Sequence, residues 1–192
     1  MWNAFKRWLE SRRQQVVVET EVETTQEVQV NGFSFRMMTA DFEDIDDLVA
    51  LEQTVYGESL AWTGDIFRDD LQNKPERQYI ILRQPETNSL VGYIGLEVLP
   101  DANQVHITSV TIAPHWQGRA VGTFLMTYIM LWAQREAFAE AYLEVRASDE
   151  DAQRFYGRLG FEQTDVLADY YDIGEDAYVM HHALDRYQGD FG

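Results

Sequence analysis

The chain has no cysteine among its 192 residues. This absence excludes disulfide bonds, thiolate metal sites and a cysteine nucleophile, so covalent chemistry would need another residue. The sequence also has no run of eighteen apolar residues, and its first residues lack the apolar core and small-residue cleavage site of a signal peptide. We therefore expect a cytoplasmic protein without stable insertion into a membrane.

Positive charge is scarce. Lys and Arg together number 15 against 33 Asp and Glu, which gives a formal net charge of -18. This balance argues against binding to nucleic acid phosphates, and we expect no direct DNA binding. It fits a cationic or amine-bearing partner, although solubility alone also explains many acidic surfaces. With 45% apolar and 13% aromatic residues, the chain is not disordered as a whole and is long enough for one sizeable domain.

The first thirty residues differ in character from the rest. Trp2, Phe5 and Trp8 recur at helical spacing among four basic residues, and residues 16–30 then alternate valine with polar side chains. We predict an N-terminal extension at 1–30, one domain at 31–187 and a short tail at 188–192. The basic segment suits an anionic membrane surface, ribosomal RNA or its own acidic domain. We favour the last, or a protein partner, because the acidic body would repel an anionic surface.

The order of elements predicts an α/β (α+β) fold. Apolar periodicity indicates a strand, two helices, three strands, a helix, a strand, a short helix and two strands. The short helix should begin with Ser148 as its N-cap. The polar turns PETN and PDAN separate the three consecutive strands and indicate antiparallel hairpins between them. We expect a mixed, mostly antiparallel sheet of six to seven strands with helices on both faces.

Residues 115–122, HWQGRAVG, open a long apolar helix with small residues. The first N–H groups of a helix lack partners and carry the positive end of its dipole, so small residues there let an anion such as a phosphate approach. A helix start with small residues for close packing is the alternative. The P-loop pattern is absent, and the hairpin array before the loop is the wrong setting for a Rossmann motif.

The segment Gln117 to Gly122 resembles the Q/R-x-x-G-x-G/A loop of the GCN5-related N-acetyltransferases (GNAT). Three further stretches, AWTGDIF, LEVRASDEDAQRFYGRLGF and DYYDIGEDAYVM, resemble the subgroup that acetylates the N-terminal alanine of a ribosomal protein. The resemblance covers residues 33–185 and implies the GNAT fold. Two positions depart from the pattern: Ala120 replaces a glycine and Asp149 replaces an asparagine.

The resemblance implies acetyl-CoA as co-substrate and no metal. The pyrophosphate would lie on the loop residues Gln117, Gly118, Arg119, Ala120, Val121, Gly122 and Thr123, with the Arg119 side chain free to add charge. The pantetheine arm would contact the strand residues Val110, Thr111 and Ile112, and Asp149 would take the place of a cofactor-touching asparagine. Such a strand contact needs unpaired backbone groups, as at a splayed or bulged strand.

Glu144 resembles the subgroup's general base and Tyr156 its general acid. Strand alternation puts Glu144 on the polar face beside Arg146, and the residues alone favour an ion pair of these two. The helical stripe around Tyr156 alone favours a core tyrosine. We expect Tyr170 and Tyr171 in a loop before the last strand. There they either line the peptide-binding site or pack only against neighbouring residues.

His181 and His182 are adjacent on a predicted strand, so their side chains should point to opposite faces. We assign them neither a shared metal nor a role.

The resemblance thus implies an acetyl-CoA-dependent acetyltransferase for a protein N-terminal amine, acting by direct attack in a ternary complex. The expected acceptor is the basic N-terminus of an alanine-led ribosomal protein. Two alternatives are an enzyme of the same fold for lysine side chains or small amines, and an acyl-CoA-binding module without turnover.

Overall fold

The computed structural model describes residues 25–186. Its helices are α1 (Ile45–Tyr56), α2 (Gly64–Asn73), α3 (Val121–Arg135) and α4 (Glu150–Arg158), and short 3-10 turns lie at Phe42–Asp44, Pro114–Trp116 and Leu184–Arg186. Its strands are β1 (Thr25–Val30), β2 (Phe33–Thr39), β3 (Arg77–Arg83), β4 (Leu90–Leu99), β5 (Gln104–Ile112), β6 (Glu140–Arg146), β7 (Glu162–Asp172) and β8 (Glu175–Ala183). None of these helices is long and apolar enough to cross a membrane.

The strands form one sheet in the order β1-β2-β3-β4-β5-β6-β8-β7. Strands β5 and β6 run parallel, whereas the β1–β2, β2–β3, β6–β8 and β7–β8 pairs are antiparallel. This is the mixed, mostly antiparallel sheet that the sequence predicts. It has eight strands rather than six to seven, because β1 joins its edge.

Strand β1 pairs with β2 from Thr25 opposite Met38 to Val30 opposite Phe33. The turn is the dipeptide Asn31-Gly32, whose φ angles of 49° and 81° match the left-handed turn that suits a two-residue hairpin. The expected boundary at residue 31 therefore falls inside this hairpin. We propose that the domain starts at or before Thr25, since Val30 is already buried.

The chain divides into two compact units. The first comprises the described residues up to Gly95 together with Ser109–Gly122, and the second comprises Leu96–Thr108 with the described residues from Thr123 onward. In the first unit, Phe67 packs its ring against Tyr79 and Tyr93 at centroid distances of 5.2 and 5.9 Å. These side chains belong to a buried cluster that extends to Leu48 on α1.

Asp70 is a buried carboxylate of the first unit. It accepts hydrogen bonds from Tyr79 Oη at 2.5 Å, from Lys74 Nζ at 2.7 Å and from Arg77 Nη1 at 3.1 Å. Burial raises the pKa of Asp70, but the hydrogen bonds from Lys74, Tyr79 and Arg77 lower it by more. The pKa of Asp70 therefore lies below its ordinary value of 3.8. The charged form is therefore the stable one in the folded chain.

In the second unit, β6 alternates as predicted. Ala141, Leu143 and Val145 are buried, while Tyr142 and Glu144 lie on the half-buried face. The strand pairs with β8 from Glu140 opposite Ala183 to Arg146 opposite Ala177. Glu144 therefore lies on a strand that is paired with β8 along its whole length, and this pairing fixes the face of the sheet to which its side chain points.

Candidate active site

The segment 115–122 in the first unit runs from the 3-10 turn at Pro114–Trp116 into the first two residues of α3. Gly118 and Ala120 both have left-handed backbones, with φ angles of 71° and 66°. Left-handed residues in a turn can aim successive N–H groups into a concavity that binds anions, and a helix N-terminus adds its dipole. A Cβ built on Gly118 would meet no atom within 4 Å, so the loop is open there.

The side chain of Arg119 is not free, contrary to the expectation. Its Nε donates to the His115 carbonyl at 3.1 Å, and its guanidinium carbon lies 5.4 Å from the ring centroid of Phe33 and 5.6 Å from that of Trp116. A guanidinium is weakly hydrated and stacks readily on aromatic faces, which explains the placement. The contacts with His115 and Trp116 are local, but no local spacing could reveal the contact with Phe33, which lies on β2.

The ladder between β5 and β6 is short. Their pairing covers only Gln104–His106 against Glu140–Tyr142, and no further β5–β6 pair occurs among the described residues. At the far end the Ala113 N–H donates to the Val91 carbonyl on β4 at 2.9 Å, so by alternation the backbone groups of Val110 and Ile112 face away from β4. The resemblance implies a pantetheine contact at Val110, Thr111 and Ile112, and such a contact needs backbone groups without a ladder partner.

Side chains already lie at these two carbonyls. The Ile112 oxygen accepts from Gln117 Nε2 at 3.0 Å, and the Val110 oxygen lies 3.5 Å from Tyr56 Oη. Thus the predicted residue Gln117 connects the loop to the strand, whereas Tyr56, at the end of α1, was not singled out from the sequence.

A buried carboxylate lies beneath this strand end. Glu52 on α1 is 2% exposed, and its Oε1 accepts from Tyr93 Oη and Thr111 Oγ1, each at 2.8 Å. Its Oε2 accepts from the Trp62 N–H at 3.1 Å. Burial and the negative charge of Glu52 raise the pKa of Tyr93 well above its ordinary value of 10. The sequence carries one signal that was missed: Glu52 falls four residues after buried Leu48, on the apolar stripe of its helix.

In the second unit, Glu144 is paired with His106 of β5. Glu144 Oε2 and His106 Nε2 are 2.6 Å apart, and both side chains are 14% exposed. The imidazole also stacks on Tyr142 with centroids 4.4 Å apart and lies 3.8 Å from a Glu97 oxygen. A half-buried carboxylate hydrogen-bonded to an imidazole can accept a proton and share it with its partner.

The ion pair of Glu144 with Arg146, which the residues alone favour, does not form. The Arg146 guanidinium lies over the ring of Tyr171, 4.2 Å from its centroid. Because β5 and β6 are parallel neighbours with His106 opposite Tyr142, the imidazole reaches Glu144 instead. The histidine was missed because this adjacency depends on the register of two strands that are distant in sequence.

Tyr156 lies on α4 and is partly buried. Its ring packs at centroid distances of 5.2 Å from Phe155 and 6.1 Å from Phe161. This is the packing that its helical stripe predicts, and its role as an acid stays a prediction.

The N-cap of α4 is Asp149, not Ser148 as predicted. The Asp149 Oδ1 accepts from the Ala152 N–H at 2.9 Å. Ser148 instead donates its hydroxyl to Glu175 Oε1 at 2.9 Å. The carboxylate of Asp149 is thus already used at the helix start, where a negative charge also suits the helix dipole.

Tyr170 and Tyr171 lie on β7, not in a loop as predicted. The Tyr171 hydroxyl donates to the Glu144 backbone carbonyl at 3.1 Å, which brings this residue to the strand of the predicted base. Tyr170 is 49% exposed and packs edge-on against Tyr171.

His181 and His182 point to opposite faces, as predicted. His181 Nδ1 lies 3.2 Å from Glu140 Oε2, while His182 Nδ1 lies 2.7 Å from the Gly160 carbonyl. Within residues 25–186, no group of three His, Asp or Glu side chains is arranged to hold a metal ion.

Comparison with known proteins decides the family. Residues 42–161 match the model of the Acetyltransferase (GNAT) family. The chain belongs to this family. It is therefore an N-acetyltransferase by fold and sequence, and acetyl-CoA is the acyl donor that GNAT enzymes use.

Relatives of this GNAT protein are named as alanine N-acetyltransferases and N-alpha-acetyltransferases. It is 31% identical over 140 residues to the "Putative ribosomal protein bS18-alanine N-acetyltransferase" of Bacillus subtilis (strain 168), covering 72% of this chain and 88% of the relative. It is 27% identical to an N-alpha-acetyltransferase of Sulfurisphaera tokodaii, covering 78% and 93%. The crystal structure of the ribosomal-protein-S18-alanine N-acetyltransferase from Escherichia coli shares the fold, with a TM-score of 0.68, 19% identity and coverage of 81% and 96%.

Proposed function

We propose that this GNAT protein transfers the acetyl group of acetyl-CoA to the N-terminal α-amine of a protein, and that its acceptor is an alanine-led ribosomal protein. The observation that carries the proposal is the pairing of Glu144 with His106 at 2.6 Å. Glu144 is on the strand where the resemblance expects the base, and its half-buried carboxylate is supported by the imidazole of His106. Relatives named for alanine and α-amine acetylation support the choice of acceptor.

The donor site is proposed for the 115–122 loop and the end of β5. The residues fit a pyrophosphate, because the left-handed backbones at Gly118 and Ala120 precede the N-terminus of a fifteen-residue helix. The backbone of Val110 and Ile112, turned away from β4, fits the amide groups of a pantetheine arm. Bound acetyl-CoA supplies the activated thioester. The residues of the chain supply orientation and the transfer of protons.

Glu144 is proposed as the general base. The α-amine has a reference pKa of about 8, so it arrives protonated at neutral pH and must lose a proton before it attacks. The Glu144 carboxylate takes this proton, directly or through a water molecule. His106 holds the carboxylate in place and is a second acceptor for the proton.

Tyr156 is proposed as the general acid. Attack by the amine on the thioester expels the thiolate of CoA, and the Tyr156 hydroxyl donates the proton that this leaving group needs. Because both substrates react by direct attack, no residue of the chain carries the acetyl group.

The acceptor is proposed to be a basic N-terminal segment. The chain has a net charge of -18, and residues 162–176 contain six Asp or Glu and no Lys or Arg. Tyr170 and Tyr171 lie in this acidic stretch and offer aromatic walls to a peptide. Like charges would disfavour an acidic acceptor.

A panel of acceptors tests this function. The purified protein is incubated with acetyl-CoA and an alanine-led basic peptide, the same peptide with a blocked N-terminus, an alanine-led acidic peptide and spermidine, and the products are located by mass spectrometry. We expect acetylation of the first peptide at its α-amine only. Modification of the blocked peptide at lysine, or preference for spermidine, would assign the alternative class of acceptor. Acetyl-CoA binding without turnover on any acceptor would indicate a non-catalytic module.

A further inference from the structure

The buried carboxylate beneath β5 has no part in the chemistry proposed above. We propose that Glu52 is a positioning residue for the acetyl donor: it holds the hydroxyl of Thr111 and thereby fixes the backbone of Val110 and Ile112 that receives the pantetheine arm. This inference rests on the proposed donor site and adds to it a residue from α1.

The first argument is the cost of burying Glu52. A carboxylate removed from water is destabilising unless it is paired or well hydrogen-bonded. The hydrogen bonds to Glu52 in the described structure come from neutral donors, namely the hydroxyls of Tyr93 and Thr111 and the N–H of Trp62. Such a fully satisfied buried network fixes one arrangement of the elements it joins. Here these elements are α1, β4, β5 and the segment before α2.

The second argument is the short ladder of β5 with β6. Beyond His106, β5 has no β6 partner in the described structure, so one side of its end lacks ladder hydrogen bonds. Strand ends with few such bonds open easily, and a ligand that binds there has to order them. Glu52 supports this strand end from α1, because its carboxylate accepts the hydrogen bond of the Thr111 hydroxyl.

Neighbouring contacts hold the same end of β5. Tyr56, one turn after Glu52, places its hydroxyl 3.4 Å from Thr111 Oγ1 and 3.5 Å from the Val110 carbonyl. On the β4 side, a Cβ added to Gly92 would lie 2.8 Å from the backbone oxygen of Thr111 and 2.6 Å from Ile112 Cδ1. The backbones of β4 and β5 are therefore in close contact at Gly92. The end of β5 is thus held by α1 and β4 together.

The test measures acetyl-CoA binding by calorimetry without any acceptor, so it does not depend on which amine is acetylated. Thr111→Val keeps the shape and removes the hydroxyl, and we expect affinity to fall about five-fold or more. Thr111→Ser restores the hydroxyl and should stay within about two-fold of the parent. Glu52→Ala should weaken binding by a similar factor, and the double variant Glu52→Ala/Thr111→Val should be no weaker than either single one, because both remove one coupled interaction.

A matched pair of tyrosines separates positioning from stability. Tyr79 and Tyr93 are both buried in the first unit, and each donates to a buried carboxylate, Asp70 and Glu52 respectively. Tyr79→Phe should lower the melting temperature and leave acetyl-CoA affinity unchanged. Tyr93→Phe should lower both.

In steady-state assays, Tyr93→Phe should raise the KM for acetyl-CoA while kcat at saturating donor stays near the parent value. Parent-like acetyl-CoA affinity in folded Tyr93→Phe or Thr111→Val protein would overturn the positioning role. A parent protein that does not bind acetyl-CoA at all would instead overturn the proposed donor site.

Discussion

The left-handed backbone at Ala120 allows a quantitative prediction for Ala120→Gly. An L-residue in this region costs roughly 1–2 kcal/mol, and Ala120 has a φ of 66° where the family loop usually has glycine. Glycine removes that cost but loses about 0.5–1 kcal/mol through the greater freedom of the unfolded chain. We expect a net stabilisation of about 0–1.5 kcal/mol, with a midpoint of about 0.75 kcal/mol that raises the melting temperature by about 1.5–3 °C for a domain of this size.

Ala137→Gly is the matched control for this change. Ala137 has a φ of 63°, is exposed like Ala120 and follows the end of α3, away from the loop. Both variants should gain similar thermal stability in calorimetric melts. Only Ala120→Gly should change acetyl-CoA affinity, and the change should be toward tighter binding because the methyl group no longer limits the approach of a phosphate. A lower melting temperature for Ala120→Gly beside a higher one for Ala137→Gly would refute the backbone argument, and weaker acetyl-CoA binding would refute the phosphate argument.

Three further predictions concern single residues. Glu144→Gln and Tyr156→Phe should each lower kcat by about 10²-fold or more with acetyl-CoA affinity nearly intact, and a loss of cofactor binding alone would contradict the proton-transfer roles. Gly122→Val should weaken acetyl-CoA binding in a domain that still folds, and unchanged affinity would return the loop to a packing role. Asp70→Asn should cost about 1.5–3 kcal/mol at pH 7. Because the pKa of Asp70 is lowered in the folded chain, this cost should shrink as the pH falls below about 4 in urea titrations, whereas a cost that persists in acid would exclude the charge as its cause.

The features that sequence could predict are local ones. The small residues of the 115–122 loop indicate an unusual helix N-terminus. The period of two along β6 correctly puts Glu144 on the opposite face from its buried neighbours. The opposite faces of His181 and His182 follow from the same period. Each of these depends on residues within one element, so tertiary structure does not enter.

The features that sequence missed depend on neighbours from distant segments. His106 contacts Glu144 only because β5 and β6 are adjacent in parallel register. Arg119 stacks on Phe33 only because the β1–β2 hairpin lies in the same unit as the loop. Glu52 carried a signal of its own, a carboxylate on an apolar stripe. Its partners, however, come from β4 and β5, so no spacing within α1 could name them.

The proposed start of the domain at or before Thr25 gives the final prediction, a comparison of two truncations. Removing residues 1–24 leaves β1 in place, whereas removing residues 1–30 deletes the edge strand and its whole ladder with β2. The longer truncation also loses the burial of Val30, which is 5% exposed and contributes about 1.5–3 kcal/mol. We therefore expect the shorter truncation to melt near the parent temperature and to acetylate a free peptide within a few-fold of the parent rate. The longer one should melt at least several degrees lower, because it also exposes the unpaired backbone of β2. Equal melting temperatures for the two proteins would show that the boundary predicted at residue 31 is the better one, and loss of peptide turnover in the shorter truncation would place residues 1–24 in the acceptor site.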